Sequence, residues 1–399
     1  VRGVEGEEKM IEAFSGVSQK KKAFDAGKQA TETAANKLAK TPDILWVFGA
    51  ISYDQKELLE GVNSVVPGTP VIGCTTDGEI STHGLSTDSV VVLALASDQI
   101  KFSTVAVDFL SQDSFKAGIK VGNQFINTNV KYMQIFSDGL LGNGSKIVDG
   151  IQKVLGKVIQ ISGGTAGDGS LFTRTYQYHN DKVLTDSIVS VAFEGDFFFG
   201  TGVSSGWTPV GMAKEVTKSI GNVVYELDGQ PALDVYKKFL GKHASLLPAV
   251  GVEYPLGLLG PQGNVEEDGY FLCRATMGVD HEKGSIIFAG DVPQGAMVKM
   301  TMGNELDVID ASKNAARRAL DQLKKNKTIK PKVAFLYSCM ARKIVLGSRT
   351  NEEILAVKEV IGKDFPMIGF YTYGEYAPVG KHHLSCLHNE VATITIISE

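Results

Sequence analysis

The chain has 399 residues, of which 43% are hydrophobic and 21% charged, with a formal net charge of −5. That length favours two or three domains, and no stretch approaches the run of about eighteen apolar residues of a membrane span, so membrane insertion is excluded. Nucleic acid is not an expected partner, because the basic clusters Lys20-Lys21-Lys22 and Lys324-Lys325-Asn326-Lys327 are short and lack interleaved aromatics.

In chain order, a helical stretch over roughly 22–39 precedes the β-type run ILWVF at 44–48, a helix over 54–65 and the strand PVIGC. The strand VVVLALA (90–96) follows. The order then repeats, with a helix over 114–127, YMQIF (132–136), a helix carrying Ile147, Val148, Ile151 and Leu155, VIQIS (158–162) and SIVSVAF (187–193). Residues 196–300 differ in texture, being rich in glycine and short β runs such as YFLCRATM (270–277). A third round comprises a helix over 306–325, VAFLY (333–337), a helix carrying Ile354, Val357, Val360 and Ile361, PMIGF and VATITII (391–397).

Alternation of this kind predicts an α/β fold of helix-covered mixed β-sheets, built from repeated β-α-β-turn-β modules in two pseudo-related halves. The domain boundary is placed at Asp228-Gly229, giving 1–228 and 229–399.

Each round carries one phrase: IGCTTDGE (72–79), ISGGTAGD (161–168) and IGFYTYGE (368–375). In each, a strand meets Gly78, Gly167 or Gly374 and then a carboxylate, Glu79, Asp168 or Glu375. Glycine there permits a tight turn, and a turn at the carboxyl end of a strand in an open α/β sheet faces the crevice where ligands bind. Thr75, Thr76, Gly163, Gly164, Thr165, Tyr371 and Thr372 are placed there with the acids. The same pattern also fits a strand break whose threonine bonds its own turn and whose acid caps a neighbour.

Other features carry less. SDGLLGNGSK (137–146) has phosphate-loop glycines, but Ser145-Lys146 reverses the order a nucleotide-binding loop needs, leaving only a helix start that suits an anion. His383, Cys386 and His388 are ligand-type residues close together, weak candidates for a metal or haem, and no metal or other cofactor is predicted. The four cysteines are scattered without a CxxC pair, which gives neither a zinc site nor a disulfide framework. Cys339 ends a strand close to Arg342; it is placed with the ligand-binding residues as a pocket-lining or packed cysteine and is also the candidate thiol of an enzyme reading.

Together these segments resemble the FIST family. The resemblance rests on PVIGCTTDGEI, ISGGTAGD, GWTPVG (206–211) and VYELDGQPALDVY in a FIST N-type part, and on FLCRATMGVD, GSIIFAGDVPQG, AFLYSCMARKIVLG and PMIGFYTYGEYAP in a FIST C-type part. It implies a bacterial or archaeal sensory protein of signal transduction that binds a small molecule such as an amino acid. Its signal would pass to a separate kinase, cyclase or chemotaxis protein. Some relatives are haem-binding nitric-oxide sensors, so that reading stays open beside the thiol-dependent enzyme. The expected ligand is zwitterionic, with its carboxylate on Arg274, Arg342 or helix-start amides and its ammonium on Glu79, Asp168 or Glu375. No secretory signal is visible after Val1, and a cytoplasmic location is expected.

Overall fold

A computed structural model describes residues 10–259, 271–324, 330–379 and 384–399. The first module is β1 (Ile11–Ser18), α1 (Ala23–Ala35), β2 (Ile44–Ala50), α2 (Gln55–Asn63), β3 (Val71–Thr76), the hairpin β4 (Glu79–Ser81) and β5 (Gly84–Ser86), and β6 (Val90–Ser97). The second is β7 (Ile100–Asp108), α3 (Ser114–Gln124), β8 (Val130–Ser137), α4 (Gly144–Leu155), β9 (Gln160–Thr165), the hairpin β10 (Gln177–His179) and β11 (Lys182–Leu184), and β12 (Ser187–Gly195).

The third module opens with β13 (Phe198–Ser204) and is then interrupted. The insertion is β14 (Trp207–Ile220), β15 (Val223–Leu227), β16 (Gln230–Pro231), α5 (Ala232–Leu240), β17 (Leu256–Leu259), β18 (Phe271–Arg274), β19 (Thr276–Asp280), β20 (Ser285–Phe288) and β21 (Met297–Gly303). These strands form one eight-stranded sheet with its own core around Tyr236, Phe288 and Leu258, which accounts for the change of texture. The module resumes with α6 (Glu305–Lys324), β22 (Pro331–Cys339), α7 (Met340–Leu346), α8 (Thr350–Ile361), β23 (Met367–Thr372), the hairpin β24 (Glu375–Val379) and β25 (Leu384–His388), and β26 (Ala392–Ser398).

The α/β architecture of helix-covered mixed sheets is the one expected from the alternation. The helices form where the sequence gives a cap and an apolar stripe. Asp54 accepts from the amides of Lys56 and Glu57 at 3.0 and 2.9 Å to start α2, whose Leu58, Leu59 and Val62 are buried. Asn143 caps α4 in the same way, with Ile147, Val148 and Ile151 inward.

Strand order shows what the repeats do. The three sheets run β1-β6-β2-β3-β10-β11, β7-β12-β8-β9-β24-β25 and β13-β26-β22-β23-β4-β5. Each is one order repeated, and the last two strands always come from another module. The first module's hairpin completes the third sheet, the second's completes the first, and the third's completes the second. This cyclic exchange gives a pseudo-threefold arrangement. On its axis Phe48, Phe136 and Tyr337 form an edge-on triangle with centroid separations of 5.3, 5.7 and 6.4 Å.

Glycine in the phrase has a packing reason. A Cβ at Gly73, Gly163 or Gly369 would lie 1.7, 2.0 or 1.6 Å from the carbonyl oxygen of Val47, Ile135 or Leu336 on the parallel neighbour. Those contacts also correct the alignment of the middle copy. Gly163 matches Gly73 and Gly369, so Thr165 occupies the place of Thr75 and Tyr371, one residue from where shared letters put it. The backbone agrees: the amides of Thr75, Thr165 and Tyr371 donate to the carbonyls of Tyr176, Gly374 and Gly78 at 2.9, 2.8 and 2.9 Å. The residue after each acceptor is Gln177, Glu375 or Glu79. Gln177, not Asp168, is therefore the counterpart of the two glutamates; a longer loop at 166–176 separates it from its strand.

Candidate functional site

The three turns meet at one end of the pseudo-threefold axis. The Gly167 amide donates to the Thr75 carbonyl at 3.0 Å, the Asp77 amide to the Tyr371 carbonyl at 2.9 Å, and the Thr372 hydroxyl to the Thr165 carbonyl at 2.8 Å. These bonds satisfy the turn backbone, so what remains for a ligand is side chains.

Six side chains from the three modules converge at the mouth. Asp77, from the first, is 2% exposed and accepts the Ser170 hydroxyl at 2.9 and 3.2 Å. Lys343, from α7, has its ammonium 3.6 Å from the Asp77 carboxylate and donates to the Asp77 carbonyl. Burial raises the Asp77 carboxyl above the ordinary range, with Lys343 and Ser170 opposing. Tyr373, from the third module, donates to Asp168 of the second and accepts the amides of Asp168 and Ser170 at 3.2 and 3.1 Å. Asp168 also receives the amides of Phe172, Thr173 and Arg174 at 2.9, 2.7 and 2.9 Å. Burial pushes its carboxyl up, but these donors outweigh that and hold it below the usual range. Phe172 stacks on Tyr373 with centroids 4.9 Å apart and forms the lip.

Asp77, Ser170 and Lys343, with Leu85, Ile344 and Asn351, line an open cleft of about 420 Å³. It presents one fixed carboxylate, one ammonium, hydrogen-bonding groups and a small apolar wall. Such a set suits a small ligand bearing both charges.

Behind Tyr373 lies a closed polar interior. Tyr373 packs against the cluster of Cys339, Met340 and Ala341. Glu375 is fully buried; one carboxyl oxygen accepts the Val391 amide at 3.3 Å and the other has no partner. Both Glu390 oxygens and both side-chain atoms of buried Asn389 are also without partners. Burial raises Glu375 and Glu390 well above the carboxylate range. Burial raises the Cys339 thiol too, reinforced by Glu375 and Glu390, the reverse of what a thiolate nucleophile requires.

The remaining residues singled out from sequence fall in several environments. Arg342 does not face the mouth: it is 0% exposed, 2.7 Å from Glu353, and donates to Ser312 at 2.6 Å and the Val308 carbonyl at 2.7 Å. Tyr371 donates to the same Glu353 at 2.5 Å. The reason is local: helix α8 supplies a buried acid from its first turn, Glu353, which sequence gave no cause to pair with Arg342. Glu79 is closed by Thr76 and by the Ser89 amide and hydroxyl at 3.2 and 2.6 Å, and burial raises it to about 7. Thr75 accepts the Tyr176 amide at 3.0 Å, Thr372 bonds within its turn, and Gly78, Gly163 and Gly164 shape backbone. Arg274 lines a different cleft, with Cys386.

Of the histidine cluster, His388 is buried with Nε2 3.1 Å from the Ala377 carbonyl, and burial, aided by Arg274, lowers it to about 4. His383 lies outside the described residues. Among the described residues no three His, Cys, Asp or Glu side chains are grouped to hold a metal, and no helix is long and apolar enough to cross a membrane.

Sequence reasoning did not select Asp77, Ser170 or Lys343. Asp77 stands inside the first phrase and Lys343 four residues after Cys339, so position alone offered them; the cleft that joins them required the hairpin exchange.

Comparison with known proteins covers most of the chain. The FIST N domain matches residues 43–230 and the FIST C domain residues 232–378. An uncharacterized protein of Methanocaldococcus jannaschii is 24% identical over 392 residues, covering 89% of this chain and 73% of its own. An uncharacterized protein of Mycobacterium bovis is 22% identical over 388 residues, covering 96% and 97%. Among solved structures, a cyanuric acid hydrolase covers 98% of this chain and all of its own at 8% identity, with a TM-score of 0.39. A second, from A. caulinodans, has 10% identity and a TM-score of 0.36, covering 97% of this chain and 99% of its own.

Proposed function

Since the chain belongs to the FIST family, whose domains are sensory modules of signal transduction, we propose that it binds an amino acid or similar small polar metabolite in the mouth cleft and signals through a separate partner. The observation that carries this reading is the placement of Lys343 and Asp77 3.6 Å apart along one wall of that cleft. A zwitterion would put its carboxylate on Lys343 and its ammonium on Asp77, exchanging one internal ion pair for two external ones.

Lys343 also offers a route for a signal. It stands on α7, whose Leu346 packs with Trp207 and Val308 in the cluster next to the inserted sheet. A ligand that draws Lys343 off the Asp77 turn would shift α7 against that cluster, and binding would favour the arrangement that lets it do so.

Native mass spectrometry of the purified protein, followed by calorimetric titration with a panel of amino acids and their amine-only and acid-only analogues, tests the reading. It expects a zwitterion to bind best; equal or tighter binding of an analogue lacking either charge would remove it.

A further inference from the structure

Arg274, at the end of β18, is 4% exposed. Its Nε donates to the Asp291 carbonyl at 3.0 Å, and Nη1 to the carbonyls of Cys273 and Leu387 at 3.0 and 3.1 Å. Among the described residues, Nη2 has no acceptor and no carboxylate is ion-paired with the guanidinium. A buried cation bonded directly only to carbonyls, with the Asp291 charge nearby but not ion-paired with it, is costly to the fold, so its retention calls for an explanation.

This side chain lines a cleft of about 430 Å³ between the inserted sheet and the second module. One face of α4, from Ser145 in its first turn to Gln152, with Lys157 beyond its end, forms the opposite wall. Asn143 caps only the Lys146 amide, at 3.1 Å, which leaves the positive end of the first turn facing the cleft. Ser145, in that turn, has a buried hydroxyl without a partner. Lys146 and Lys157 add two ammonium groups. Two acids share the lining, Asp291 and Asp149, at 3.4 and 3.7 Å from Lys146. Arg274, Lys146 and Lys157 outnumber them, so the lining carries one net positive charge. Leu258, Leu272, Pro293 and Leu384 make the rest of the wall apolar.

We infer that this cleft is a second ligand site, taking the oxyanion of a small molecule, phosphate or carboxylate, on Arg274 and Ser145 while the apolar wall holds the body. It is separate from the mouth and does not depend on the reading given to the mouth. An oxyanion would accept from Arg274 Nη2, the Ser145 hydroxyl and the Gly144 and Ser145 amides, the Lys146 amide being already held by Asn143.

The test is calorimetric titration of the full chain with phenyl phosphate and with benzoate, which share a body and differ in head group. Arg274→Lys, Ser145→Ala and Lys157→Ala variants are compared with Lys343→Ala, circular dichroism checking each fold. At least one ligand should bind, with affinity reduced about tenfold in Arg274→Lys and clearly reduced in Ser145→Ala and Lys157→Ala. Lys343→Ala should bind it as the parent does. Ser145 lies in the first turn of α4 and Lys157 just beyond its last, apart from the Arg274 strand, so two variants remain informative should Arg274→Lys unfold. Failure of both ligands to bind, unchanged binding in the cleft variants, or loss of binding in Lys343→Ala alone would overturn the inference.

Discussion

The hydroxyl of Tyr373, from the third module, donates to the carboxylate of Asp168, from the second, and accepts the Asp168 and Ser170 amides at 3.2 and 3.1 Å. One side chain thus holds the loop that carries Ser170 over the turn that carries Asp77. The mouth is assembled by this bond rather than by any single repeat.

Removing the hydroxyl while keeping the ring isolates its role. Tyr373→Phe should retain the stack on Phe172 yet lose about 1–3 kcal/mol of stability, because buried Asp168 loses the hydroxyl that its carboxylate accepts and its amide donates to. Hydrogen exchange should quicken at the amides of 168–174, with little change at β2, β8 and β22. Uniform acceleration across the sheets would show that the bond is not local.

The Arg342–Glu353 pair should behave as structure. Both side chains are 0% exposed, Ser312 bonds to both, and Ser338 and Tyr371 donate to Glu353. Arg342→Ala should cost about 3–5 kcal/mol by urea denaturation, since it strands a buried carboxylate, and pairing it with Glu353→Gln should recover part of that loss. A fully folded Arg342→Ala protein of parental stability, with weakened ligand binding, would return Arg342 to the binding site.

Glu79 sets a pH dependence of defined sign. Its folded carboxyl is raised from 4.5 to about 7, by burial first, so the folded state holds the proton more tightly than the unfolded chain. Its contribution to stability is therefore complete below pH 4.5 and is lost as pH rises through about 7, roughly 3 kcal/mol in all. Glu375 and Glu390, raised well above the same ordinary value, act in the same direction. Melting temperatures of Glu79→Gln should fall less between pH 5 and about 7.5 than those of the parent. A steeper fall in the variant would mean that the charged form is the one the fold prefers.

Much of the architecture was legible because it is local. Runs such as ILWVF and VATITII declare buried strands, and Leu58, Leu59 and Val62 declare the inner face of α2. The exchange of hairpins was not legible, since pairing of Glu79 with Phe370 or of Glu375 with Gly164 spans modules and leaves no periodic mark. Misalignment of the middle repeat had a specific source. Its loop at 166–176 contains a second Gly-acid pair, Gly167-Asp168, which imitates the hairpin entry that Tyr176-Gln177 occupies. Arginines drew attention as carboxylate partners because sequence shows charge but not neighbours. Glu353 answers Arg342 from another helix, while Lys343, one residue later on α7, reaches the Asp77 turn and is partly exposed.

The central claim is that the mouth binds a zwitterion through Lys343 and Asp77. Calorimetric titration of the tightest-binding amino acid into the parent, Lys343→Ala and Asp77→Asn measures it most directly, with melting temperatures recorded alongside. The account predicts at least about a tenfold loss of affinity in each variant, with melting shifts of only a few degrees, because the Lys343 side chain is 28% exposed and its pair with Asp77 is replaceable. Parental affinity in both folded variants would contradict it.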